Sequence, residues 1–273
     1  MLRQRIITAL ILAPSAISAI LFLPSTVLSI VISLILGIAA FEWSRLSGFS
    51  NRLAQGGYIA LTLLIFVLIY PWLASSIGVA TLLLSVFIGW LLITIRLFFL
   101  AEIPRLDEAA PLQAMLGLLI LSTTWGSLIL IHASSERGPM LVIFLMLLIW
   151  GADSVAYFAG KRWGRVKLIP VVSPGKSREG VMGALTGSLL IGLALAWYLG
   201  VSGSHFLLVV MLALITSSIS VVGDLFISYL KRQRGLKDTG AILPGHGGVL
   251  DRIDSMLSAA PVFLLGLMLL GVV

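Results

Sequence analysis

Nine apolar stretches, one after another, leave this chain few ways to fold. They cover residues 6–22, 26–44, 58–74, 77–95, 112–131, 140–159, 181–199, 205–229 and 253–272. Each is close to the length of about 20 residues with which an α-helix crosses about 30 Å of hydrocarbon. Inside lipid every backbone N–H and C=O must find its partner within the protein, so runs of this length are restricted to helices. Composition agrees: 59% of the 273 residues are hydrophobic and 11% are charged, whereas a soluble domain carries about 25% charged residues. The expected fold is all-α, a polytopic integral membrane protein of about nine transmembrane helices. The first stretch follows Arg3 and Arg5 and has the form of a signal peptide. No polar domain comes after it, so it reads as a retained first span. Pro24 falls in the tight turn between spans one and two. The chain has no cysteine, which excludes disulfides, thiolate metal sites and a thiol nucleophile.

The basic residues sort by side. Placing the N-terminus and every second loop on one side gathers 17 of the 18 Lys and Arg residues there, with Arg137 alone opposite. Basic residues accumulate in cytoplasmic loops, so the N-terminus is expected in the cytoplasm and the C-terminus outside. The net charge of +7 calls for anionic partners; no nucleic-acid partner is expected. Two cytoplasmic loops, 160–180 and 231–252, carry 11 basic residues between them. Residues 1–137 read as a membrane scaffold of about five helices. Residues 138–273 read as a catalytic region of about four helices with the two basic loops.

Ionisable residues inside spans are costly and mark function. Three are candidates: Glu42, Asp153 and Asp224. Glu42 stands three residues before Arg45 near a cytoplasmic end, and a local ion pair is expected. At about 1.5 Å per residue, Asp153 lies about 12 Å in from Lys161 and Asp224 about 9 Å in from its cytoplasmic end. Ser217, Ser220, Asp224, Ser228 and Lys231 share one helical face. They form a polar stripe from mid-membrane to the cytoplasmic mouth. Small polar residues alone would suit helix-to-helix hydrogen bonding; the carboxylate shifts the balance to function.

Asp251 and Asp254, spaced i, i+3 at the start of the last span, also lie on one face. Helix capping by acids near an N-terminus accounts for them equally well in isolation. The preceding "PGHGG" changes the weighting, because Gly245, Gly247 and Gly248 allow backbone N–H groups to approach an anion closely. His246 suits a phosphate donor, an acid or base, or a plain loop residue. The other loop holds "SPGKSREG", Ser173 to Gly180. Gly175, Lys176 and Ser177 fit the end of a Walker A motif, but Pro170 stands at its first position and no strand is expected ahead of it, so that reading is rejected. Ser173 or Ser177 can cap the following helix, with Glu179 in its first turn. That N-terminus, with Lys176 and Arg178, can hold phosphate. Carboxylates favour a divalent metal, while lysine, arginine and glycine backbone favour phosphate. Mg²⁺ held by one or two carboxylates plus substrate phosphates is the usual arrangement in phosphoryl and nucleotidyl transfer.

The stretch "SYLKRQRGLKDTGAILPGHGGVLDRID" resembles the signature of the phosphatidate cytidylyltransferases, S-x-x-K-R-x4-K-D followed by P-G-H-G-G-x-x-D-R-x-D. Ser228, Lys231, Arg232, Lys237, Asp238, Pro244, Gly245, His246, Gly247, Gly248, Asp251, Arg252 and Asp254 meet every fixed position. The resemblance is specific over roughly 150–254. It implies that CTP and phosphatidate react to give CDP-diacylglycerol and pyrophosphate. It also implies Mg²⁺, alone or with a second, monovalent cation, a homodimer, and the bacterial inner membrane with the site facing the cytoplasm. By that analogy Asp224, Asp251 and Asp254 form the metal set, with Lys231, Arg232, Lys237, Asp238, His246 and Arg252 around the phosphates. Asp153, Ser173, Lys176, Ser177, Arg178, Ser228 and the three glycines form the substrate site. Whether Lys176 and Arg178 hold the triphosphate or the lipid phosphate stays open at this level. Two rival readings are weaker. A secondary transporter also uses buried acids and broken spans, but the polar groups here gather at one face with no matching path outward. A CDP-alcohol phosphotransferase shares only the spaced acids of "GGVLDRID".

Overall fold

A computed structural model describes residues 2–242, 245 and 247–273, with side chains from Leu10 onward except Ser76. Nine helices are present among the described residues: α1 Leu2–Phe22, α2 Ser25–Leu46, α3 Arg52–Trp72, α4 Ser76–Phe98, α5 Pro111–Ala133, α6 Gly138–Trp163, α7 Arg178–Leu199, α8 Gly203–Gln233 and α9 Leu250–Leu269. Eight of them, α2 to α9, are long and apolar enough to cross a membrane. In α1 the described apolar part, Leu10–Phe22, is shorter. The molecule is an integral membrane protein. Leu64, Val67, Leu91 and Leu92 turn large apolar side chains outward from α3 and α4, where lipid rather than water would cover them.

The helix ends follow local chemistry. Asn51 accepts from the Leu53 N–H at 2.8 Å, Ser75 from Gly78 at 3.0 Å and Ser177 from Gly180 at 3.1 Å, each satisfying an orphan donor of a first turn. Pro111 opens α5, where a missing N–H costs nothing. Pro24 stands just before α2, in the expected turn. Gly200 ends α7 at φ 69°, the left-handed conformation that glycine adopts without strain.

The expected loop 160–180 contains a small antiparallel hairpin, the exception to the all-helical pattern. Its strands are β1 Lys167–Ile169 and β2 Ser173–Ser177, with Lys167 opposite Ser177 and Ile169 opposite Ser173. A strand therefore does precede the "GKS" segment, contrary to expectation. Gly175, Lys176 and Ser177 are themselves in β2, which runs directly into α7. No phosphate loop separates strand from helix, so the Walker A reading stays rejected for a better reason.

Helices α6, α7, α8 and α9 pack in succession, α5 backs α9, and α2 packs on α5 and touches α9. The α6–α7 contact is close because small residues face each other. A Cβ on Gly183 would meet the Ala159 Cβ at 2.5 Å, and one on Gly180 would meet the Ala156 carbonyl at 3.1 Å. Such small-residue seams let membrane helices approach backbone to backbone. At about 1.5 Å per residue α8 is about 46 Å long, against about 30 Å of hydrocarbon, so one end must project from it. Its last turns carry Ser228, Lys231 and Arg232.

Candidate functional site

Two connected groups of polar side chains gather at the end of the bundle where β2, the C-terminal part of α8 and the start of α9 meet. The first surrounds a cavity of about 350 Å³ between α6, α7, α8 and the hairpin. Asp153, Tyr157 and Lys161 face it from α6, Lys176 and Ser177 from β2, and Asp224 from α8. The Lys176 Nζ lies 2.5 Å from Asp224 Oδ2, with each side chain about one-quarter exposed. Ser228, one turn on, donates to Asp224 Oδ1 at 3.2 Å. Asp153 is near enough to Asp224 to feel its charge, and Asp224 acts in the same way on the half-buried Asp254. Asp153 and Asp224 thus face one cavity with Lys176, and Asp254, on α9, lies within electrostatic reach of Asp224 and Lys176.

The second group is buried and lies beside the first. Asp251 is 8% exposed. Its Oδ1 accepts from Lys231 Nζ at 2.7 Å. Its Oδ2 accepts from the Thr239 N–H at 2.8 Å and the Gly248 N–H at 3.0 Å, and lies 3.0 Å from the Thr239 hydroxyl, whose single proton it shares with Glu42. Glu42, from α2, closes the network. It accepts from the Val249 N–H at 3.0 Å, the Leu250 N–H at 2.7 Å and the Thr239 hydroxyl at 2.9 Å. The expected pair with Arg45 is not made. Glu42 has no exposed surface, Arg45 is exposed, and the ion pairs among the described residues are Lys176–Asp224 and Lys231–Asp251. A fully buried acid needs several donors, and an exposed arginine on the same helix offers fewer than the start of α9.

The stripe on α8 divides accordingly. Asp224 and Ser228 serve the cavity, Lys231 serves Asp251, and Ser217 and Ser220 are buried in the packing. Ser177, not Ser173, caps α7, and Glu179 turns back to accept from the Val166 N–H. Arg178 leaves the polar cavity and lines a neighbouring apolar hollow with Leu97, Phe98 and Val181. Arg232, Lys237, Asp238 and Arg252 are exposed; Arg252 acts electrostatically on Asp153. The Gly248 amide, expected to meet an external anion, is given to Asp251. Gly245 and Gly247 adopt φ 74° and 79°. Roles expected of His246 and Pro244 lie outside the described residues.

As placed, the expected metal set is not a formed centre: among the described residues no three Asp, Glu or His side chains are grouped as metal ligands. The donor chemistry nevertheless discriminates between positions. The oxygens of Asp251 take the Lys231 ammonium and two backbone N–H groups, whereas Asp224 takes one ammonium and one hydroxyl and faces the cavity. Asp224 is the more open of the two acids to a cation.

Sequence reasoning missed three participants. Tyr157 and Lys161 follow Asp153 at i+4 and i+8, a spacing that already put them on its face. Thr239 carried no comparable signal, because 197 positions separate it from its partner Glu42, which was a candidate by its place in a span.

Fold and site together define a polytopic membrane protein that gathers acids, lysines and glycine-rich backbone at one end of its spans. The chain belongs to the Cytidylyltransferase family, whose sequence model matches residues 3–270. It is 41% identical over 268 residues, 96% of each chain, to the phosphatidate cytidylyltransferase of Pseudomonas aeruginosa. It is 29% identical over 286 residues to that of Haemophilus influenzae, covering 96% of this chain and 97% of the relative. With the protein of the same name from Brucella abortus it shares 41% identity over 134 residues, 49% of each chain.

Proposed function

We infer that this protein is a CTP:phosphatidate cytidylyltransferase that makes CDP-diacylglycerol for phospholipid synthesis. The observation that carries the reading is a cavity of acids and lysines beside an apolar one. Val181 and Val221 line both the acid and lysine cavity and a second cavity of about 390 Å³ walled by Leu97, Phe98, Ile215 and Leu225. A substrate with a phosphate head and acyl tails suits such a pair, with the tails against α4 and α8. Arg178, over the apolar hollow, suits the lipid phosphate, and Lys176, among the acids, suits the triphosphate.

In the reaction a phosphatidate oxygen forms a bond to the α-phosphorus of CTP, and the bond to the bridging oxygen breaks to release pyrophosphate. The attacking oxygen is already anionic near neutral pH, so no strong general base is required. The site must align two anions and offset their charge. Mg²⁺ bound by Asp224, with Asp153 and Asp254 nearby, would supply charge neutralisation at the transferring phosphate. Lys176, released from Asp224, would move its ammonium onto a phosphate oxygen. Lys231, beside the cavity, and the exposed Arg252 add positive charge. Basic loops at this end favour the cytoplasmic side, and bacterial relatives suit the inner membrane. A homodimer rests on the family resemblance.

The test uses detergent-purified protein with phosphatidate, Mg²⁺ and labelled CTP, with ATP in parallel. A labelled lipid and stoichiometric pyrophosphate, from CTP and not ATP and lost with EDTA, are expected. Folded protein that binds CTP yet makes no lipid product would overturn the assignment.

A further inference from the structure

Glu42 lies about 200 positions from the signature stretch yet is built into it. It has no exposed surface, and burying an acid is costly unless every oxygen is met by donors. Here both oxygens are. Oε1 takes the Val249 N–H, and Oε2 takes the Leu250 N–H and the Thr239 hydroxyl. Val249 and Leu250 open α9, whose first amides have no partner within the helix and no cap from the Val249 side chain. Glu42 therefore caps α9 from another helix. The surroundings are shaped to it. A Cβ on Gly240 would come within 2.5 Å of Glu42 Oε1, and one on Gly248 would collide with both Glu42 oxygens and the Thr239 hydroxyl. Thr239 bridges Glu42 to Asp251, its hydroxyl on the first and its N–H on the second, and Asp251 holds Lys231.

Glu42 is itself held from the scaffold side. Its neighbour Trp43 is fully buried, donates to the Gln113 carbonyl at 2.9 Å and sits 6.3 Å from the Phe226 ring. The end of α2 is thereby fixed against α5 and α8. We propose that Glu42 is a positioning residue for nucleotidyl transfer: through Thr239 and the first amides of α9 it sets Asp251, and with it the Lys231 ammonium, in register with the cavity. This rests on the transferase reading above.

The test compares wild type with Glu42→Gln, Thr239→Val and the double variant, reconstituted with Mg²⁺, CTP and phosphatidate. Rates are expressed per folded molecule, and amide hydrogen exchange is followed over residues 249–250. Gln presents an NH₂ to at least one backbone or hydroxyl donor. Val keeps the shape of Thr239 and its N–H but removes the bridging hydroxyl. Each single change is expected to lower kcat about 10- to 100-fold, the cost of a small misalignment. The KM for phosphatidate should stay within about twofold, because binding of the lipid is not what is lost. The double variant should be no worse than the poorer single, and Glu42→Gln should speed exchange at Val249 and Leu250. Should Glu42→Gln fail to fold, Thr239→Val carries the same kinetic expectation. Turnover per folded molecule close to wild type in either variant, or losses that multiply in the double, would overturn the proposal. A wild type that makes no CDP-lipid would overturn the transferase reading first, while unchanged amide exchange would remove the capping role independently of activity.

Discussion

At the scale of single residues the two lysine–aspartate pairs differ in setting, and the difference predicts opposite consequences. Lys176 and Asp224 are each about one-quarter exposed and line an open cavity. An ion pair that solvent can reach contributes about 0–1 kcal/mol, so Lys176→Met should scarcely move the unfolding midpoint. The same variant should lose about 10²–10³ in kcat, the usual effect of removing one preorganised donor from a charge-stabilising site. Asp224→Asn should lose turnover on that scale while still inserting into the membrane; near-normal turnover would remove Asp224 from the reacting centre. Lys231 and Asp251 are 11% and 4% exposed at their side chains. Removing Lys231 leaves Asp251 with two backbone N–H donors but no compensating charge. Lys231→Met is therefore expected to destabilise the protein by about 3 kcal/mol, towards the lower end for a broken buried pair. Thermal unfolding in detergent measures it.

At the scale of elements, glycine decides how near α8 and α9 come. A Cβ on Gly223 would collide with the Ser258 hydroxyl and lie 2.6 Å from the Asp254 carbonyl. The contact sets Asp224, the next residue, against Asp254. Gly223→Ala gains about 0.5–1 kcal/mol of helix propensity and costs about 1–3 kcal/mol by overpacking. The second effect wins, and the midpoint should fall. Gly89→Ala is the control, since its added Cβ meets nothing within 4 Å, and it should be neutral or slightly stabilising. Equal behaviour of the two variants would show that the α8–α9 contact is not tight at Gly223. The hairpin makes a related point about local signals. Residues 167–177 alternate too little to announce strands, and Pro170 and Pro174 argue against a regular sheet. The pairing nevertheless forms, and β2 ends at Ser177, which caps α7.

At the scale of the whole molecule, the sorting of 17 basic residues to one side predicts a topology that the absence of native cysteine makes simple to test. Lys237→Cys and Glu136→Cys replace exposed residues at the two ends of the bundle. A membrane-impermeant maleimide should label the first only in inverted vesicles and the second only in right-side-out vesicles. The reverse pattern would put the cavity outside, where CTP would not reach it. The site depends on this scale as well. Its acids come from α6, α8 and α9, its lysines from α6, β2 and α8, and a buried cap from α2.

Helix number, membrane residence and nearly every residue of the signature stretch could be read from the chain alone, since apolar run length and the cost of unpaired backbone in lipid act locally. The grouping of Asp224, Ser228 and Lys231 on one face was also legible, because helical periodicity is a property of consecutive residues. The partners were not. Nothing local says that Asp224 meets Lys176 and Asp251 meets Lys231, or that Glu42 turns from Arg45 to the first amides of α9. Those choices belong to packing: a buried carboxyl takes whichever donors the neighbouring helices bring to it, and only the assembled bundle brings Val249, Leu250 and Thr239 within reach.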